Sequence, residues 1–545
     1  MSDTPNALAD ELLTVTLTRE PLWATILGIP GHDTDLADRS AAADDTVRAR
    51  CLDLAARAEA IDPAPLTADE EVTRAVVAHQ ARSTVDELDG RGVEYAISDL
   101  FVSPVAELLH ILPMVVLGTG EQVESYLERL RAVPAYLDTV ARRHREGVAA
   151  GRVPVARLVR SAVAHLDRHL ADTDTDPLAR QPLTGDAADR RAALLADVVR
   201  PALAGYRHVL DTEIAPHGRD DQHPGLCWLP DGDAMYAGLA RHHTTTDRDP
   251  DELHRTGLEL IEALTEEYAE TGARVFGTRD RAEIFARMSG DPAMRWRDGD
   301  ELLDAARDAV VRAEAALPGY FGRLPATRCA IEPIPAADAP GAPAAYYVMP
   351  SLDGSRAGTY FANTDRATER DRFAAEVVAF HEAVPGHHLQ IALAQELTHL
   401  PLLRRVATPN AYAEGWGLYT ERLADEMGLY SSDVMRLGML AMDSMRAGRL
   451  VVDTGLHAKG WSRERAVTFL RDNTPMSDLE IGNETDRYTV YAGQALSYMV
   501  GRLELQSMRA QAQARPDFDL KAFHDTVLGS GPLPLTVLRT VVSRP

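Results

Sequence analysis

The stretch AFHEAVPGHHLQ, residues 379–390, decides how the chain is read. It continues a segment in which Phe373, Val377 and His381 fall four apart, the spacing of one helix face. Thr368 and Asp371 stand ahead of that segment as a capping pair, so a helix is expected from there. His381 and Glu382 open the pattern H-E-x-x-H of zinc-binding helices, but Pro385 occupies the place of the second histidine. Proline has no N–H for the carbonyl of His381, so the helix must bend or break, and Gly386 gives the chain freedom to do it. In an unbroken helix His387 would point about 120° from His381, and His388 would share its face about 10.5 Å further along. A bulge absorbing two residues at Pro385-Gly386 would carry His387 into the place of the missing histidine. Spacing alone leaves two alternatives open: His388 as the second ligand, or a buried helix that binds no metal.

A catalytic zinc site keeps three protein ligands and one open position. The third candidate is Glu414 in NAYAEGWGLYTERLADEMG, on a helix that Asn410 is expected to cap. Gly415 and Gly417 would let that helix approach a neighbour closely. Glu421 lies seven residues on, on the same face, as a reserve ligand or an outer partner. His381, His387 and Glu414 would make a His₂Glu set with Glu382 as general base.

The rest of the sequence bounds the reading. A net charge of −26 disfavours non-specific binding to nucleic acid or an anionic membrane. Three scattered cysteines, without a CxxC pair, argue against a disulfide framework or a cysteine-zinc site. The start lacks the basic and apolar regions of a signal peptide, and no stretch has the length of a membrane span, so a cytoplasmic location is expected. The nucleophile elbow, P-loop and dinucleotide fingerprints are missing, which removes the anchors of those chemistries.

Helical spacing dominates. Thr119 caps a run with apolar residues at Val123, Leu127, Leu130 and Val133, and similar periods recur over 191–210 and 251–272. Segments 171–190 and 215–233 read as connections, and the proline-rich 331–345 as extended. YYVMPSLDGSRAGTYFANT then reads as a short hairpin turning near Asp353-Gly354. The length suggests three subdomains: 1–214, 215–345, and a catalytic 346–545.

HEAVPGHHLQ, YAEGWGLYTERL and RYTVYAGQALSYMVGRLE, in this order, resemble the bacterial family called domain of unknown function 885, and the likeness spans nearly the whole chain. The resemblance implies a mostly α, multi-helix metallopeptidase-like fold with a small β hairpin or sheet near the active-site helix. It implies His381, His387 and Glu414 as metal ligands and Glu382 as the base. The chain departs from the family pattern at Ala357 and Ala492, where proline is usual.

Hydrolysis of an amide also needs a donor for the oxyanion. Tyr498 and Tyr491, seven apart, are the leading candidates, on a helix whose second polar stripe holds Arg487 and Gln494. Each tyrosine taken alone is more often a satisfied core residue. Arg356 or Arg487 would grip a substrate carboxylate, and Arg356, Gln494 and His388 are the substrate-binding candidates. Asp353, Ser355 and Arg356 would lie on the hairpin beside the cleft. His242 and His243 point about 100° apart on a helix, so one is expected to line the cleft and neither to bind metal.

The expected function is zinc-dependent hydrolysis of a peptide or amide bond in a short peptide or small molecule, with one divalent ion as cofactor and no nucleic-acid or membrane partner. The limit to small substrates follows from the resemblance. Two alternatives remain: a metal-dependent tailoring enzyme acting on a small metabolite, and a non-catalytic binding protein of the same fold.

Overall fold

Helix-period apolar spacing turns into helices through most of the chain. Thr119 Oγ1 accepts from Gln122 N–H while Gln122 Oε1 accepts from Thr119 N–H, closing a capping box on Gly120–Ala149. The segment predicted over 251–272 lies within Pro250–Phe276. The one predicted over 191–210 is interrupted: a π-helical turn, Leu195–Val199, separates Asp186–Leu194 from Arg200–Val209. Pro201, which cannot supply an N–H to the ladder, follows directly. The computed structural model describes residues 3–100, 102–335, 339, 342–352, 354 and 356–544.

The protein is mostly α-helical with one small sheet in the order β1-β3-β2. Strands β2 (Ala345–Val348) and β3 (Thr359–Ala362) pair antiparallel, as the hairpin reading requires. The connection between them is long; Gly354 takes a left-handed φ of +73°, and Asp353 and Ser355 lie outside the described residues. Strand β1 (Ala330–Pro333) adds in parallel to β3 from the start of the proline-rich stretch. Residues 331–333 of that stretch are extended as expected, residues 336–338, 340 and 341 lie outside the described ones, and the pairing depended on a partner the local sequence does not reveal.

Two large apolar cores are present, and they do not follow chain order. Leu8, Leu54 and Val76 pack with Val377, Leu418 and Leu496 in one core. Residues between Leu22 and Ile214, including Leu127, Leu130 and Val133, form the other. Among the described residues, no helix is long and apolar enough to cross a membrane.

Two expected caps are absent. Asp371 pairs with Arg295 instead of capping, and short 3₁₀ turns lead into a helix that begins only at Ala375. Pro409 precedes the Glu414 helix (Asn410–Glu426) without a side-chain cap, and the Asn410 amide reaches His243 Nδ1 at 2.7 Å. In both cases a tertiary partner outcompetes the local one.

Candidate metal centre

His381 and Glu382 close the helix Ala375–Glu382, and His387 opens the next, His387–Glu396. Between them the chain turns over Ala383–Gly386, where the proline and glycine required it. The turn is closely built. His388 N–H bonds back to the Ala383 carbonyl at 3.0 Å, and the Trp416 indole N–H donates to the Pro385 carbonyl at 3.0 Å. A Cβ on Gly386 would lie 1.9 Å from the His381 carbonyl oxygen, so only glycine fits.

This break brings the two imidazoles edge to face, 4.7 Å between ring centres. Glu414 Oε2 stands 3.5 Å from Nε2 of His381 and 3.5 Å from Nε2 of His387. One donor atom from each of the three lies within 4.8 Å of the others. Ligands bound at about 2.1 Å with tetrahedral angles stand about 3.4 Å apart, so the spacing suits one shared ion. Glu421 Oε1 lies 2.7 Å from His381 Nδ1, where it accepts the Nδ1–H and orients the ring so that Nε2 faces Glu414. Glu421 thus pairs with the far nitrogen of the His381 ring and stands outside the three-donor cluster. His387 Nδ1 is buried without a hydrogen-bond partner among the described residues.

The electrostatics agree with a cation-seeking donor set. Burial opposes the charged form of His381, but hydrogen bonds to Glu414 and Glu421 outweigh it and raise the imidazole to about 10. Burial likewise opposes the Glu414 carboxylate, yet the two imidazoles hold it well below its ordinary range.

Gly417 makes the pocket possible from the other side. A Cβ there would fall 2.6–2.9 Å from three atoms of the His381 ring. Gly417→Ala should therefore destabilise the fold by about 1–3 kcal/mol through overpacking and displace His381. Thermal melting together with metal content checks this; an unchanged melting temperature would mean the ring yields freely.

The other site residues divide into two groups. His388 is buried and turned from the cluster: its Nδ1 meets Tyr347 Oη at 3.0 Å and its Nε2 the Thr327 carbonyl at 2.9 Å. It is His387 that groups with His381 and Glu414, whereas His388 ties its helix to β2. Arg356 is exposed on the β2–β3 connection. Arg487, Gln494 and Tyr498 converge, because Arg487 Nη2 donates to Gln494 Oε1 at 2.7 Å and to Tyr498 Oη at 3.2 Å.

They do so without the continuous helix expected across them. Asp478–Val490 and Leu496–Gln513 are separate helices. In the bend between them Gly493 takes φ +83° and donates its N–H to both carboxylate oxygens of Asp453 at 3.1 Å. The bend turns Tyr491 away from Tyr498 and edge-on to His243, 5.0 Å between ring centres. Burial pushes the Tyr491 phenol up to about 12. Tyr491, His242 and His243 line a cavity of about 450 Å³ together with Trp23, Glu87 and Tyr95. Both histidines line this cavity, but His381, His387 and Glu414 do not, so it is not the cleft that one of the two was expected to line. Through Asn410, His243 touches the Glu414 helix one turn before the ligand.

Asp453 went unnoticed in the sequence, since nothing near it marks it. It is fully buried, bonded to Tyr236 Oη at 2.7 Å, and burial raises its carboxyl from 3.8 to about 7. Between those values the folded chain keeps a proton that the unfolded chain has released. The Asp453 contribution thus favours the fold most below about pH 4 and fades as the pH rises toward 7. Asp453→Asn should flatten that slope in a melting-temperature series from pH 4 to 8; an unaltered slope would contradict it.

Two solved structures share this architecture. One, from Colwellia psychrerythraea and described as a lipoprotein, is 26% identical, with a TM-score of 0.90 over 99% of this chain and 98% of its own. The second, from Shewanella oneidensis and described as a lipoprotein of unknown function, is 17% identical, with a TM-score of 0.76 over 99% of this chain and 100% of its own; that likeness is one of fold. No curated protein matches the sequence. Residues 21–542 match the model of the family described as bacterial protein of unknown function (DUF885), and the chain belongs to that family.

Proposed function

We propose that the protein is a zinc-dependent hydrolase of peptide or amide bonds in short peptides or small molecules. One observation carries the reading: two imidazole nitrogens and a carboxylate oxygen lie within 4.8 Å of one another, and Glu382 is the next residue after His381. Two imidazoles and one carboxylate are the donor set of zinc hydrolases, and Glu421 supplies the outer hydrogen bond such sites use. When bound, the ion supplies Lewis acidity toward a carbonyl and toward water.

The residues divide the remaining work. Glu382, partly exposed at the end of its helix and adjacent in sequence to His381, is assigned the general-base role of taking a proton from attacking water and returning it to the leaving amine. Tyr498, its phenol oxygen held by Arg487, is the candidate donor to the developing oxyanion. Side-chain exposures of 6% for His381, 12% for His387 and 22% for Glu414 restrict access to a narrow approach, which suits a short substrate.

Metal analysis of the untagged protein, followed by a panel of short peptides and acyl amides with and without chelator, tests the proposal. About one zinc per chain and chelator-sensitive cleavage are expected. A protein that takes up no zinc from solution would refute the metalloenzyme.

A further inference from the structure

Three guanidinium groups surround one phenol beside the candidate centre. The Cζ atoms of Arg446, Arg449 and Arg487 lie 5.8, 4.4 and 5.9 Å from the centre of the Tyr498 ring. All three stand within the protein, with side-chain exposures of 10%, 4% and 18%. Cations this close repel one another, and their desolvation is costly unless anions compensate.

The nearby carboxylates do not suffice. Glu484 binds Arg449 at 2.7 Å and is shared with Arg487 at 3.5 Å. Glu421 Oε1 lies 3.8 Å from Arg446 Nη2 but accepts the His381 Nδ1–H at 2.7 Å, and its other oxygen has no hydrogen-bond partner among the described residues. Arg449 is further occupied by the Tyr488 hydroxyl. Arg446 is otherwise bonded only to the Met442 thioether, a weak acceptor, and its buried Nε has no partner among the described residues. Arg487 Nε is likewise buried and unpartnered there. Two nearby carboxylates thus face three guanidiniums, and each guanidinium keeps a buried donor without a partner among the described residues: Arg446 Nε, Arg449 Nη1 and Arg487 Nε.

We infer that Arg446 and Arg487, both near the Tyr498 ring, form a subsite for a carboxylate on the substrate. A carboxylate has two oxygens to accept N–H bonds, and Arg446 and Arg487 each keep one unpartnered donor, so the pair matches that chemistry. The inference takes its reaction from the hydrolase reading and adds the substrate class: an amide that carries a free carboxylate close to the scissile bond. Arg449 serves as support, holding Glu484 and Tyr488 in place.

Calorimetric titration of the chelator-treated, full-length protein with N-benzoylglycine and with N-benzoylglycinamide tests this apart from metal chemistry. The acid should bind about tenfold or more tighter than the amide. Arg446→Ala and Arg487→Ala should each abolish that preference, and Arg446→Lys should restore part of it. Equal binding of acid and amide by the wild-type protein, or no binding of either, overturns the subsite without reliance on any variant. A preference that survives in both alanine variants overturns it too. Acid preference in a protein that takes up no zinc would uphold the subsite and refute the hydrolase; zinc-dependent cleavage without acid preference would do the reverse.

Discussion

Glu382→Gln is expected to keep about one zinc per chain and to lower kcat on any cleaved amide by about 10²–10⁴-fold, the usual contribution of a general base. The amide is nearly the same size as the carboxylate, and Glu382 is not among the clustered donor atoms, so the fold and the ligand set should persist. KM should move much less than kcat, because the lost interaction serves proton transfer and not the resting complex. Parallel measurement of zinc content and steady-state kinetics separates the cases. Full activity in the variant would transfer the base role to another group, and loss of zinc would make Glu382 a ligand.

The ligand set itself gives the second large effect. His387→Ala and Glu414→Gln should each weaken zinc binding by more than about 100-fold, exceeding the 10–100-fold typical of outer-shell changes. Glu421→Gln should fall in that lower range, because it leaves Nε2 of His381 in place but loosens the ring. His388→Ala should retain the metal, since both its ring nitrogens are engaged with Tyr347 and Thr327. Competition with a chromophoric chelator ranks the four. Loss of zinc from His388→Ala alone would mean that the chain re-forms the turn when loaded.

The turn at Pro385-Gly386 was legible because its causes are local: a missing N–H, a missing Cβ and a helix face already marked by Phe373 and Val377. Glu414 was legible for a similar reason, since helical spacing aligns it with Glu421. What escaped the sequence depends on partners far along the chain. Asp371 is drawn off by Arg295, Gly493 by Asp453, and β1 by β3. Arg446 sits in a helix, Asp433–His457, whose spacing marks it as no more than another polar position. Its importance emerges only when Tyr498 and Glu421 arrive from two other helices. Trp416 could have been suspected, standing within the very EGW motif that flags Glu414, but its bond to Pro385 required the fold.

The Glu414 helix and the helix Leu496–Gln513 meet backbone to backbone. A Cβ on Gly415 would lie 2.4 Å from Gly501 Cα, and one on Gly501 would lie 2.0 Å from the Ala411 carbonyl oxygen. Such a joint is keyed. Sliding one helix by a turn along the other would drive a side chain into a seat shaped for none, so a single registration survives. That registration fixes Glu414, the residue before one glycine, against Tyr498, three residues before the other. The two helices therefore index the Glu414 carboxylate to the Tyr498 phenol as a dowel aligns two plates, and the alignment is set by backbone atoms and not by the clustered side chains.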